Sequence, residues 1–278
     1  KINKKSNSKE DIKLEREDSI FFIKKTWFDI ERGKKSIRKQ IDFNEIKIND
    51  LLIKSPKIYD SQIINNQKLI AKMEYIEGNS GSDITLVGTR KTSLQIKDAL
   101  SVLINLNLER SKIKEVKTEV LLNKLNLILS SFEDNELFEL LNSLKNYLLN
   151  LKSIKIPIGP CHGDITLSNI IISSSGALHF IDFLPTFLET PLWDIVKLYQ
   201  DLKYGWSYRD LAGPEKASAK LFFSNCLPSQ LKIYKDVMHY QILIFDAFNL
   251  ARLSPYIKDY KTREWLIYNL RNAISCLN

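Results

Sequence analysis

The chain has 278 residues, 44% hydrophobic and 27% charged, proportions of an ordinary globular protein able to bury a substantial core. No apolar run approaches the roughly 20 residues of a membrane span, and the opening Lys1-Ile2-Asn3-Lys4-Lys5 has no apolar stretch behind it, so neither a span nor a secretory signal is expected. The net charge of +8 falls almost wholly in residues 1–158, but acids interleave with the bases, as in Lys9-Glu10-Asp11, so a solvated surface is expected and nucleic acid is not.

In chain order, residues 12–26 read as two strands joined at Glu17-Asp18-Ser19, the second rich in β-formers. Past Gly33, apolar residues at Ile37, Ile41, Ile48 and Leu51/Leu52 trace a helical stripe that Ser55-Pro56 ends. Strands are expected around residues 57–59 and 68–76, and the stretch 78–83, Gly-Asn-Ser-Gly-Ser-Asp, reads as a linker. Residues 93–110, 116–130 and 133–151 are amphipathic, Leu-rich and helical in period. Pro157-Ile158-Gly159-Pro160 ends that block, and a hairpin follows, residues 169–173 and 177–183, closed by Ser174-Ser175-Gly176. From Trp193 onward the pattern is helical, with breaks at Gly213-Pro214 and Pro228. The order is a small β-rich part with one helix, then a larger helical part carrying one hairpin.

The chemistry concentrates in residues 161–183. Asp164 stands five residues before Asn169, and Asp182 closes the next strand. Phosphoryl transfer from a magnesium nucleotide uses such a set: one carboxylate orients a hydroxyl and accepts its proton, while an amide oxygen and a second carboxylate hold the metal on the phosphates. His179 and His239 lie in apolar surroundings and read as packed side chains, as does Cys161. Three scattered cysteines support neither a disulfide framework nor a zinc site, and a reducing, cytoplasmic setting is the expectation.

His162-Gly163-Asp164 with Asn169, followed by Ile181-Asp182, resembles the catalytic and metal motifs of the aminoglycoside phosphotransferase and choline kinase superfamily, relatives of the protein kinases. Gly163 where a protein kinase has arginine, and Asp182-Phe183-Leu184 without the glycine of Asp-Phe-Gly, favour the small-molecule branch. The resemblance implies an α+β, two-lobed, protein-kinase-like fold with a β-rich nucleotide-binding lobe over residues 1–78 and a mainly helical lobe over 79–278. It implies use of ATP or GTP with Mg2+, Asp164 as base, Asn169 and Asp182 as magnesium ligands, and His162 and Asp194 as structural supports of the loop. Lys24 is expected to contact the phosphates, with Lys25 as its rival one register away, and Glu45 to hold it from the helix, with Asp42 as rival. Ser6, Asn7 and Ser8 stand where a phosphate-covering loop belongs, and the backbone of Glu74 and Ile76 where adenine binds. The acceptor is expected near Glu189, Asp201, Tyr204 and Trp206. Aromatic faces with carboxylates suit either a sugar or a cation. The stretch from Asp182-Phe183-Leu184-Pro185 to Asp201-Leu202-Lys203-Tyr204 resembles bacterial phosphotransferases of surface-polysaccharide metabolism, which implies a sugar or sugar-like alcohol. The alternatives are an aminoglycoside, choline or another amino alcohol, or a nucleotide-binding protein without activity.

Overall fold

The first hairpin forms where its residue types predict. β1 (Glu10–Glu17) and β2 (Ile20–Trp27) pair antiparallel around Asp18 and Ser19, whose φ values of 44° and 71° suit a two-residue turn that follows the strand twist. In this computed structural model, residues 10–48, 50–86, 88–130, 134–228 and 238–277 are described. α1 (Ile30–Ile41) starts at Asp29, whose carboxylate caps the Arg32 N–H at 3.0 Å.

The helix expected to run on to Leu52 stops at Ile41. Beyond it, β3 (Ile46–Ile48) and β4 (Leu51–Lys54) form a hairpin in which Ile48 pairs with Leu51. The apolar residues at 46, 48, 51 and 53 serve a two-residue period as well as a helical one, and the Asn-Asp dipeptide between the runs is turn chemistry. β5 (Ile58–Ile64) and β6 (Lys68–Glu74) turn through Asn65 and Asn66, both at positive φ, and complete a four-stranded antiparallel sheet in the order β1-β2-β6-β5.

α1 packs on this sheet over Trp27, Ile37, Leu69, Ala71 and Met73. Each such fully buried large side chain contributes about 2–3 kcal/mol relative to exposure. At Gly33 a Cβ would lie 2.8 Å from Leu69 and 2.9 Å from Trp27, so the helix reaches this depth only with glycine there.

The residues read as a linker instead supply β7 (Gly78–Ser80). It joins a second sheet with the chemically loaded hairpin, β10 (Ile170–Ser173) and β11 (Leu178–Phe180), in the order β3-β4-β11-β10-β7. Accordingly, the chain divides into Lys1–Ile84 with His162–Phe187, and Thr85–Cys161 with Leu188–Asn278. This division differs from one at residue 78: the hairpin expected in the C-terminal part groups with the first unit, because its strands complete that unit's second sheet.

The second unit holds α2 (Arg90–Glu109), α3 (Glu119–Leu129), α4 (Asn135–Asn150), α5 (Leu192–Leu198), α6 (Gly213–Cys226), α7 (His239–Ala251) and α8 (Tyr260–Ser275). It also holds a ribbon that the periodicity reading missed, β8 (Lys112–Lys117) with β9 (Ser153–Ile158). Its core includes Trp193, 4.6 Å from the Phe245 ring and 5.9 Å from Phe248. Among the described residues no helix is long and apolar enough to cross a membrane.

Candidate active site

The loop carrying Asp164 is held by its own backbone and by His162. Gly163 has φ +90°, and a Cβ there would come 2.2 Å from the Leu184 carbonyl oxygen, so this tight passage requires glycine. The Leu184 N–H donates to the His162 carbonyl at 3.0 Å, and Lys39 Nζ donates to the Leu184 carbonyl at 2.7 Å.

The buried His162 ring receives the Asp164 N–H on Nδ1 at 3.3 Å. Its Nε2 therefore carries the proton and donates to the Ile181 carbonyl at 2.9 Å. Burial drives its pKa down to about 4, against the pull of Asp164, so the ring is neutral at neutral pH. Packed 4.3 Å from Phe183, the ring has both nitrogens hydrogen-bonded.

Asn169 is locked by the same logic. Its Nδ2 donates to the Asp164 carbonyl at 2.8 Å and to Asp164 Oδ2 at 3.2 Å, and its own carbonyl accepts the Ile181 N–H at 3.0 Å. With the amide nitrogen turned toward Asp164, the amide oxygen faces the other way. Asp182 follows Ile181 at φ 62°, a left-handed conformation that aspartate tolerates better than most residues. These are hard oxygen donors in a two-residue set, which fits magnesium, an ion that keeps much of its water. Among the described residues, no group of three or more His, Cys, Asp or Glu gathers as a metal cluster.

The lysine beside Asp182 is Lys25, not Lys24. Lys25 Nζ lies 2.5 Å from Asp182 Oδ1 and 2.9 Å from Glu10 Oε2, with the Trp27 ring 4.9 Å away. Burial works to lower its pKa, but the carboxylates of Asp182 and Glu10 outweigh burial and raise it. Lys24 points to the opposite face and pairs with Glu15 at 3.2 Å in a 38% exposed position. The residue next along the strand meets Asp182 because side chains alternate between faces.

Neither acid expected on the helix lies beside Lys25. Glu45 is exposed and lies past the end of α1, and its rival Asp42 caps the helix and pairs with Arg38 at 3.5 Å. Glu10, which looked like one surface charge among many, is the carboxylate that meets the lysine.

Ser6, Asn7 and Ser8 lie outside the described residues. The Glu74 N–H is already bonded to the Lys57 carbonyl at 2.8 Å, while Ile76 is buried between β6 and β7. In the second unit, Asp194 is fully buried and accepts from Asn107 Nδ2 at 3.3 Å. Glu189 accepts from Cys161 Sγ at 3.1 Å. Asp201 is taken up by Ser207, whose N–H lies at 3.1 Å, so it shapes its own turn. Tyr204 bonds Asp246, and Trp206 packs edge-on to Trp265 at 5.2 Å. Tyr204 and Trp206 share Trp265, whose Nε1 donates to the Tyr204 carbonyl at 2.8 Å, while Glu189 and Asp201 bond elsewhere.

A β-rich unit carrying one helix, a lysine–aspartate pair and a histidine-braced loop, with a mainly helical unit beside it in sequence, defines a protein-kinase-like α+β fold. The chain belongs to the phosphotransferase enzyme family, whose model matches residues 47–221, more than half of its length. It is an enzyme of the small-molecule phosphotransferase class.

Aminoglycoside phosphotransferase APH(4)-Ia has a similar fold, with a TM-score of 0.63 at 7% identity over 99% of this chain and 92% of that one. In its ternary complex with AMP-PNP and hygromycin B, a thermostable mutant of that protein gives 0.60 at 9% identity over the same shares, 99% and 92%. Choline kinase LicA from Streptococcus pneumoniae gives 0.56 at 16% identity over 99% and 91%. No curated protein sequence matches.

Proposed function

We propose that this chain is an ATP- and Mg2+-dependent kinase that transfers the γ-phosphoryl group to a hydroxyl of a small molecule, a sugar or sugar-like alcohol. The observation that carries the reading is the interlocked set Asp164, Asn169, Asp182 and Lys25 within one unit. Magnesium, when bound, supplies positive charge to the phosphates. Asn169 Oδ1 and Asp182 would hold it. Lys25 would exchange part of its hold on Asp182 for a phosphate oxygen. Asp164, oriented by Asn169, would position the acceptor hydroxyl and take its proton. The neutral His162 would keep Asp164 in place without competing for that proton. The bound AMP-PNP of the APH(4)-Ia complex supports a nucleoside triphosphate as donor, ATP or GTP.

A second acceptor class, amino alcohols, is favoured by one observation. Lys203 Nζ sits 5.2 Å from the Tyr199 ring centre, 4.5 Å from that of Tyr204 and 3.7 Å from Asp246, an aromatic and acidic setting that already holds an ammonium. ADP release from Mg-ATP across sugars, amino alcohols and aminoglycosides decides among the classes, with Asp164→Asn as control. Release stimulated by sugars and lost in the variant supports the main reading, and release with amino alcohols alone replaces it with the second. Tight Mg-ATP binding without release for any acceptor class would count against the kinase reading.

A further inference from the structure

Kinase-like sites need a carboxylate to hold the phosphate-facing lysine, and α1 offers none. Glu31 is exposed and pairs with Lys34 at 2.7 Å, Asp29 caps the helix, and Asp42 pairs with Arg38. We propose that Glu10, on strand β1, is the positioning residue for Lys25, and that α1 contributes an arginine, Arg32, to hold that glutamate.

The strand register makes this possible. Glu10 pairs with Trp27 and Ile12 with Lys25, so Glu10 and Lys25 are diagonal neighbours on one face of the hairpin, within reach of long side chains. Lys25 Nζ lies 2.9 Å from Glu10 Oε2, and both side chains are 7% exposed. Glu10 Oε1 lies 3.3 Å from Arg32 Nε in the first turn of α1. The chain Arg32–Glu10–Lys25–Asp182 therefore alternates in charge and runs from the helix to the end of the chemically loaded hairpin.

The two carboxylates on Lys25 have different duties. Asp182, 33% exposed, is the one that a metal would claim, whereas Glu10 faces inward and remains with the lysine. Glu10 would keep the ammonium aimed if Asp182 held a metal. The inference rests on the kinase reading of the Lys25–Asp182 pair.

The test measures Mg-ATP affinity and turnover for the full chain with Glu10→Gln, Arg32→Ala, Lys25→Met and Glu10→Gln/Lys25→Met, each checked for its unfolding midpoint. Glu10→Gln is expected to lower kcat/KM for ATP by about 10- to 100-fold. The double variant should be no worse than Lys25→Met alone, since Glu10 acts only through the lysine. Arg32→Ala, at a 44% exposed position, should fold normally and cost about three- to tenfold. Additive losses in the double variant, or kcat/KM within twofold of the unaltered chain in both Glu10→Gln and Arg32→Ala, would overturn the assignment. An unaltered chain that binds no Mg-nucleotide would instead remove the kinase reading, and this inference with it.

Discussion

Gly163 and Gly176 share nearly the same backbone conformation, φ +90° and +81°, in very different surroundings. A Cβ at Gly176 would meet nothing within 4 Å, while one at Gly163 would lie 2.2 Å from the Leu184 carbonyl oxygen. Gly176→Ala should therefore cost only the left-handed conformation, about 1–2 kcal/mol. Gly163→Ala adds displacement of that oxygen and disruption of the 3.0 Å bond from Leu184 N–H to the His162 carbonyl. The lost bond contributes about 1 kcal/mol, for about 3 kcal/mol in all once the displacement is included. Because that bond ties the segment after Asp182 to the residue before Gly163, turnover should also fall about a hundredfold for a shift near 1 Å. Gly176→Ala should leave turnover within about twofold, since it sits in the hairpin turn away from the reacting groups. Urea unfolding followed by tryptophan fluorescence, together with ADP release, reads both effects. Equal destabilisation by the two substitutions, or full turnover in Gly163→Ala, refutes the reasoning.

Asp164→Asn should reduce turnover by about 10²- to 10⁴-fold and leave nucleotide affinity nearly intact, whereas Asp182→Ala should remove the magnesium dependence of nucleotide binding. Calorimetric titration with and without Mg2+ separates the two, and an unchanged metal effect in Asp182→Ala counts against that ligand. Lys25→Met should weaken ATP binding strongly, while Lys24→Met, on the other face with Glu15, should change binding and stability little; the reverse result would restore the original register. The pH dependence has a definite sign. His162 is depressed from 6.5 to about 4 by burial, so the unfolded chain takes up a proton first. Its contribution, up to about 3 kcal/mol, is complete above pH 6.5 and is lost as pH falls through 4. Asp246 acts in the opposite sense: burial raises it from 3.8 to about 6, so its contribution is complete below 3.8 and lost as pH rises through 6. Unfolding midpoints between pH 7 and 4 should show a fall that His162→Gln flattens and Asp246→Asn steepens. A slope unmoved by His162→Gln rules out that origin.

Much of the loop was legible because its chemistry is local. His162, Gly163, Asp164 and Asn169 lie within eight residues, and their hydrogen bonds mostly join neighbours. What the sequence concealed depended on register or on distance along the chain. Lys24 and Lys25 are equivalent until the pairing of β2 is known, and Glu10 becomes special only when Trp27 is placed opposite it. Ile48, Leu51 and Leu52 satisfied a helical period, yet Ile53 finds a strand partner at Leu178, which no local window contains. Gly78-Asn79-Ser80 had linker composition, but its pairing to Ser173, Ile172 and Ile171 makes it an edge strand. At Gly78 a Cβ would come 2.2 Å from the Ile172 carbonyl oxygen, so the glycine there serves close approach rather than looseness.

The five-stranded sheet also dictates an order of assembly. Two of its three interior strands, β11 and β10, are synthesised long after their neighbours β4 and β7, so a nascent chain ending before Ile170 leaves both early strands with an unpaired edge. Closing the intervening chain costs entropy that local hairpins such as β1–β2 avoid, so the four-stranded sheet can form first and the β10–β11 hairpin locks in late. Truncated products would then expose Ile53 and its flanking backbone as a template for association between chains, so the strands that follow Asn169 and precede Asp182 also protect the young protein from its own copies.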